Sequence, residues 1–95
     1  MAVLLVTYDL HAPGRDYAPV HEYLRQFAYC KHLESVWLID TQLSTAMVRD
    51  ALMQRIDRND TVFVVQLMND WAAYNYRCAD WLKSSNRTWQ YAIAR

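Results

Sequence analysis

Residues 2–10, "AVLLVTYDL", decide how the rest of the chain can be arranged. The run from Ala2 to Val6 is apolar at every position, which is typical of a central strand buried on both faces. Asp9 then places a carboxylate between two large apolar residues at the end of that strand. A carboxylate there must be solvated, paired or used in chemistry. We therefore expect a central strand at 2–10 and treat Asp9 as a candidate site residue.

A helix is predicted after this strand. Pro13-Gly14 indicates a turn, Asp16 can cap the helix, and Pro19 is tolerated in its first turn. A core face at helical spacing is formed by Tyr17, Val20, Leu24 and Phe27.

The middle of the chain predicts two more strands, a second helix and a last strand. Residues 29–41 are rich in β-formers and indicate two short strands, or one bent strand, turning near Glu34-Ser35. Ser44 can cap the second helix. The buried side of that helix is predicted to hold Val48, Ala51, Leu52 and Ile56. Residues 57–60 indicate a turn, and 61–67 the last strand.

This order of elements predicts the fold class. Strand, helix, strand, strand, helix, strand is the ferredoxin-like βαββαβ arrangement, an α+β fold. We expect one domain over 1–95, with a four-stranded antiparallel sheet and both helices on one face. The opposite face should also be apolar, so it must be covered by the C-terminal segment or by a second copy of the protein.

The C-terminal segment predicts a short helix and a terminal strand. Residues 78–85, "CADWLKSS", read as a helix with Trp81 and Leu82 buried. Beyond it, Trp89, Tyr91 and Ile93 alternate, which is strand periodicity. A terminal strand needs a sheet edge, either in its own sheet or in a partner's, and of the two we expect residues 87–95 to use the partner's. We therefore expect a homodimer built through the sheet and closed by the tail.

Composition and charge limit the function classes. Lys plus Arg equals Asp plus Glu, 10 against 10, so no global positive field attracts nucleic acid. The first apolar run is too short to span a bilayer, and no membrane partner is expected. Cys30 and Cys78 make no disulfide scaffold, which favours a cytoplasmic protein with free thiols. The histidines and cysteines do not have the spacing of a zinc site.

Two short motifs carry a resemblance to a known family. "VTYDL" at 6–10 and "ESVWL" at 34–38 resemble the small dimeric CRISPR-associated endonucleases of the Cas-two family. The virulence-associated D toxins are distant relatives of similar fold. A closer likeness is to short phage and bacterial proteins sometimes labelled SinR-like, whose function is largely unassigned. Their recurring pieces "TYDL", "PG", "LES", "W", "RD", "ND" and "DWLK" appear here in the same order, within residues 1–83.

The resemblance implies a metal site. In the CRISPR family the Asp that ends the first strand binds a divalent metal together with its symmetry mate, a role that falls on Asp9. Two such carboxylates and waters could hold Mg²⁺, the candidate cofactor, which would activate water for attack on a phosphodiester. Nuclease-like members carry several basic residues after that Asp, whereas here only Arg15 follows, beside Asp16.

Each candidate residue also has a structural interpretation. Asp9 can accept backbone N–H groups in the Pro13-Gly14 loop instead of binding metal. His11 is either a proton shuttle beside Asp9 or a solvated loop residue, and His21 is expected on the exposed side of its helix. An aromatic segment with Arg77 is either a platform for stacking bases or a loop packed over the sheet: Trp71, Tyr74 and Tyr76.

Two functions of different classes follow. The first is a Cas-two-like homodimer that acts as a binding or assembly module of a phage, mobile-element or defence system, without strong catalysis. The alternative is a metal-dependent endonuclease that hydrolyses RNA or DNA with paired Asp9 residues. The first is favoured because only one carboxylate is well placed and no general acid accompanies it. The residues expected to contact nucleic acid or a partner are Tyr8, Arg15, Ser35, Trp37 and Arg77.

Overall fold

The computed structural model describes residues 1–11 and 17–89 of the chain. The elements are β1 (Ala2–Asp9), α1 (Ala18–Leu24), β2 (Ala28–Lys31), β3 (Val36–Thr41), α2 (Thr45–Met53), β4 (Thr61–Gln66) and α3 (Ala79–Lys83). The four strands form one antiparallel sheet in the order β2-β3-β1-β4. This small α+β architecture is compatible with a ferredoxin-like arrangement.

The central strand lies where its apolar run predicts. Leu4 of β1 is opposite Ile39 of β3 on one side and Gln66 of β4 on the other. The expected antiparallel pairing of residues 2–10 with 29–41 and with 61–67 is therefore confirmed. Of the two alternatives for 29–41, the chain forms two strands, with a turn closed by a hydrogen bond from the Val36 N–H to the Leu33 carbonyl at 3.2 Å.

One face of the sheet is covered by the first two helices. Ser44 caps α2 as expected, because its hydroxyl accepts from the Met47 N–H at 3.1 Å. Pro19 lies in the first turn of α1, whereas the predicted cap, Asp16, lies outside the described residues. The core on this face consists of Ala2, Leu4, Val6, Val20, Leu24, Trp37, Ile39, Val48 and Leu52. Val20, Leu24, Val48 and Leu52 are buried as predicted for the helix faces. Tyr17, Phe27 and Ile56 pack against this core from positions outside the helices, and Ala51 is only partly buried.

The opposite face is covered by the chain's own segment 67–89, which we call the C-terminal cover. Val3 and Leu38 of the sheet are buried against Cys78 and Leu82 of the cover. Its partly buried members include Leu67, Trp71, Tyr76, Trp81 and Trp89. Of the two occupants expected for this face, the structure therefore has the C-terminal segment.

The cover bears on the predicted dimer and the predicted terminal strand. Residues 67–89 occupy much of the face that the expected dimer contact would use, whereas Phe63, on the same face, is 58% exposed. The predicted C-terminal helix is present as α3, with Leu82 buried and Trp81 half-buried. Residues 87–89 are not in a strand, and the rest of the predicted strand lies outside the described residues. The dimer itself stays a prediction.

The expectation of free thiols is wrong, because Cys30 and Cys78 form a disulfide. Their Cα atoms are 5.8 Å apart although 48 positions separate them in the sequence. The fold brings them together by laying the start of α3 over the back of β2. Disulfides persist mainly in oxidising compartments, so this bond does not support the expected cytoplasmic location. That location stays a prediction. No helix within residues 1–11 and 17–89 has the length and apolarity needed to span a membrane.

A buried carboxylate provides a second tie between sheet and cover. Asp40 of β3 is only 5% exposed. It accepts hydrogen bonds from the Thr88 N–H at 2.9 Å and from the Thr88 hydroxyl. The guanidinium of Arg87 lies 4.0 Å from the centre of the Trp81 ring, with Nη1 3.9 Å from Asp40 Oδ2. These contacts hold the end of the cover against the middle of the sheet.

Candidate ligand-binding cavity

A cavity of about 730 Å³ opens where β1 ends and β3 begins. The antiparallel pairing of Thr7 with Val36 places the end of β1 beside the turn that precedes β3. Four of the predicted site residues consequently meet there, namely Tyr8, Asp9, Ser35 and Trp37. The other lining residues are Leu10, His21, Arg25, Tyr29, Lys31 and Glu34.

The floor of the cavity is a cluster of aromatic rings around Trp37. The indole Nε1–H of Trp37 donates a hydrogen bond to the Tyr8 hydroxyl oxygen at 2.9 Å. The His21 ring stacks on Trp37 with centroids 6.0 Å apart, and the Tyr29 ring is tilted against it at 5.1 Å. Trp37 itself is almost fully buried, so Tyr29 and His21 present the aromatic surface that a ligand can reach.

His21 does not lie on the exposed side of its helix, contrary to the sequence-based expectation. It is half-buried in the cavity, against Trp37 and Tyr8. The signal was present in the spacing, since His21 follows Tyr17 by four residues and precedes Leu24 by three. Positions at that spacing share one face of a helix. The sequence-based expectation follows the polarity of the His21 imidazole, which favours a position in solvent, and not this spacing.

Charged side chains surround the aromatic floor. Arg25 and Lys31 are the cations, and the Lys31 ammonium lies 5.9 Å from the centre of the Trp37 ring. Asp9 and Glu34 are the acids. The rim is therefore balanced in charge, with both signs available to a ligand.

The cavity holds its titratable rings in neutral forms. Burial lowers the pKa of His21 below its usual value, and the charges of Arg25 and Lys31 lower it further. Burial raises the pKa of Tyr8; the hydrogen bond from Trp37 acts the other way, and the charge of Glu34 raises it again. At neutral pH the Tyr8 phenol keeps its proton and His21 is uncharged.

Asp9 is exposed and has one described ionic neighbour. Its Oδ2 lies 3.2 Å from His11 Nε2, and its side chain is 71% accessible to solvent. His11 therefore lies beside Asp9, as its interpretation as a proton shuttle required. Its side chain is also 53% exposed, as its interpretation as a solvated loop residue required. Within the described ranges, 1–11 and 17–89, no three His, Cys, Asp or Glu side chains are grouped so as to hold a metal ion. The loop partners expected for Asp9, Pro13 and Gly14, lie outside those ranges.

A different carboxylate, Asp60, organises the loop beside β1. It accepts hydrogen bonds from the His11 N–H at 2.7 Å, the Tyr17 hydroxyl at 2.6 Å and the Asp57 N–H at 2.8 Å. Burial acts to raise the pKa of Asp60, but these bonds outweigh it and hold the pKa below its usual range. The sequence indicated only a turn at 57–60, because the partners come from distant positions.

Of the remaining predicted residues, Arg77 does not line the cavity. Arg15 lies outside the described residues. Arg77 lies in a second hollow of about 520 Å³ that shares no lining residue with the first. Its backbone N–H donates to His32 Nδ1 at 3.0 Å. Trp71 and Tyr76 pack in the cover, which agrees with the interpretation of this segment as a packed loop. Tyr74, by contrast, is 89% exposed.

Comparison with protein-family models and with solved structures supplies no function for the chain. No protein-family model matches the chain. No solved structure matches it either. The geometry of the chain's own residues is therefore the basis for a functional proposal.

Proposed function

We propose that this chain is a homodimeric binding module of a phage, mobile-element or defence system, which binds a nucleotide unit of RNA or DNA without strong catalysis. One observation carries the proposal. Four residues singled out by the sequence meet in a single cavity that combines an aromatic floor with two cations. Aromatic rings beside basic groups are the means by which proteins bind single-stranded nucleic acid.

Each part of the nucleotide has a matching group in the cavity. A base can stack on Tyr29 and His21, because their rings lie at the accessible side of the Trp37 cluster. A phosphate can pair with Arg25 and Lys31. The carboxylates of Asp9 and Glu34 can accept hydrogen bonds from sugar hydroxyls or from base amino groups.

The hydroxyl of Tyr8 adds a directed donor. An indole N–H can only donate, so the bond from Trp37 occupies a lone pair of the Tyr8 oxygen. The phenolic proton is thereby left to donate to another group, and a phosphate oxygen is a suitable acceptor. The raised pKa of Tyr8 keeps this proton in place at neutral pH.

The fold and the dimer belong to the same proposal. We assign the chain to the ferredoxin-like class, which the strand order β2-β3-β1-β4 and the two helices on one face support. For the dimer, β4 offers an edge with Phe63 more than half exposed. Residues 87–89 are held against their own sheet, so in a second copy the part of the predicted strand beyond Trp89 would add to that edge. We retain the cytoplasm as the proposed location, where the Cys30–Cys78 disulfide would be exposed to reduction.

The alternative function, a metal-dependent endonuclease, is favoured by the position of Asp9. Its carboxylate is exposed at the end of β1 and can therefore meet the same residue of a second copy. One carboxylate supplies too few ligands for Mg²⁺, so the site would be complete only in the dimer.

Binding is tested with fluorescently labelled single-stranded RNA and DNA oligonucleotides in EDTA, by fluorescence anisotropy. Tyr29→Ala and Lys31→Ala should each weaken binding about tenfold, because a stacked base or a phosphate contact is lost. Tyr74→Ala and Lys83→Ala are the matched controls outside the cavity, and should change the affinity less than twofold. Absence of binding, or equal losses in the controls, contradicts the proposal.

Cleavage and assembly are tested on the same samples. Incubation with Mg²⁺ or Mn²⁺ should leave the oligonucleotides intact. Metal-dependent cleavage that Asp9→Ala abolishes would establish the endonuclease instead. Light scattering at micromolar concentration should give a dimer for the 95-residue chain, and a clean monomer would reject that part of the proposal.

A further inference from the structure

The disulfide and the cavity meet on one short strand. β2 has four residues, and successive side chains of a strand point to opposite faces. Tyr29 and Lys31 line the cavity on one face. Cys30, between them, is joined to Cys78 of the cover on the other face. The disulfide therefore fixes Cys30, whose two neighbours in the strand, Tyr29 and Lys31, line the cavity.

Apart from the disulfide, few contacts hold β2. Among the described strands it lies at the edge of the sheet and pairs with β3, over four opposed residue pairs from Ala28–Asp40 to Lys31–Trp37. Just past its end, His32 accepts from the Arg77 N–H and stacks on Tyr76. Ala28 and Tyr29 are exposed. A short edge strand with few buried side chains belongs to the part of a protein that opens most readily.

We propose that the Cys30–Cys78 disulfide positions Tyr29 and Lys31 in the cavity, so that reduction of this bond loosens the cavity wall and weakens ligand binding. The predicted weakening of ligand binding rests on the proposed function, whereas the predicted loosening of β2 does not. The disulfide then acts as a redox-sensitive control of the site, and not only as a staple of the fold.

A dithiol reductant supplies the chemistry. Its thiolate attacks the sulfur of Cys30, which is partly accessible, whereas Cys78 is fully buried. The S–S bond breaks and Cys78 leaves as a thiolate, which takes up a proton. The second thiol of the reductant then resolves the mixed disulfide and releases Cys30. Two electrons pass to the protein, and the reductant ends as a disulfide.

The effect should be local, because other contacts keep the cover in place. Asp40 still binds Thr88, at the far end of the cover. His32 still accepts from the Arg77 N–H and stacks on Tyr76 at 5.6 Å. The core of the cover, around Leu38 and Leu82, stays packed. Reduction therefore frees β2 more than it frees the rest of the sheet.

Amide hydrogen exchange tests the proposal without any ligand. Exchange is followed by NMR for the oxidised protein, the dithiol-reduced protein, and the double variant Cys30→Ser, Cys78→Ser. Amides of β2 should exchange about tenfold faster in the last two samples. Amides of β4, the other edge strand, are the internal control and should change little. Asp40→Asn loosens the other tie and should leave β2 unchanged.

The outcomes separate this inference from the proposed function. Unchanged exchange in β2 overturns the inference, and so does equal acceleration in β1, β2 and β4, which would make the disulfide a global staple. Labelled oligonucleotide should bind about fivefold more weakly to the reduced protein, because a base or phosphate contact is only partly lost. If no oligonucleotide binds in either redox state, the proposed function fails while the exchange result still decides the role of the disulfide.

Discussion

The two faces of the sheet are buried by different means. On one face two helices pack Val20, Leu24, Val48 and Leu52 against the strands, and each of these residues is at most 1% exposed. On the other face the cover has only a five-residue helix and an otherwise irregular path. Individual ties hold it, namely the disulfide and the Asp40 carboxylate. Regular packing needs no particular partner, whereas an irregular cover depends on a few long-range contacts.

The largest effect in this comparison is expected from deletion of core volume on the helical face. Leu24→Ala removes a fully buried side chain between α1 and the sheet, and should lower the free energy of unfolding by about 3 kcal/mol. The matched variant on the other face is Leu82→Ala, which should cost about 2 kcal/mol because a short irregular segment can settle into the gap. Urea unfolding of the oxidised proteins, followed by circular dichroism, measures both.

A reversed order would break the comparison. If Leu82→Ala cost clearly more than Leu24→Ala, the cover would be packed as rigidly as the helices, and its dependence on individual ties would be refuted. Equal costs would remove the distinction between the two faces as far as packing is concerned.

A smaller effect is expected from the buried carboxylate. Asp40→Asn replaces one acceptor oxygen with an NH₂ group that can only donate, at a site where two groups of Thr88 donate. The free energy of unfolding should fall by about 2 kcal/mol, since a buried group loses its partner. Asp50→Asn is the matched control: Asp50 is exposed, and the partner that the structure describes for it is its neighbour Arg49, so its change should stay within about 0.5 kcal/mol. Similar values for the two variants would show that the Asp40 tie contributes nothing.

The sequence predicts the helical face well because its signals are local. Residues 2–10, the caps and the helical spacing of Val20 with Leu24 each indicate an element within one short window. The order of those elements then predicts the antiparallel pairing of the sheet.

The cover and part of the cavity depend on contacts that no short window contains. Cys30 and Cys78 are 48 positions apart, and only the folded chain shows that they meet. Asp60 accepts hydrogen bonds from Tyr17 and His11, which precede it by 43 and 49 positions, so a turn signal could not reveal its role. Tyr8, Asp9, Ser35 and Trp37 can be singled out from the sequence because they belong to two short motifs, whereas only the fold shows that these motifs line one cavity. Arg25 and Lys31 belong to none, and only their placement around Trp37 marks them.

The smallest effect is expected from His21, at the border between the helical face and the cavity. Its pKa in the folded protein is lowered, chiefly by burial and then by Arg25 and Lys31, so the unfolded chain binds the proton more readily. The stability linked to His21 is therefore fully present above about pH 6.5 and declines as the pH falls through the lowered pKa. His21→Gln should flatten this decline, whereas His32→Gln, at the edge of the cover, serves as the comparison. Urea midpoints at pH 8, 7, 6 and 5 measure the slopes, and an unchanged slope in His21→Gln would show that the ring is not held in its neutral form. The His21 ring keeps contact with solvent. The change in the free energy of unfolding for His21→Gln should therefore be smaller than the changes for Leu24→Ala and Leu82→Ala. On this expectation the cavity lies at the weakly stabilised margin of the better-packed face.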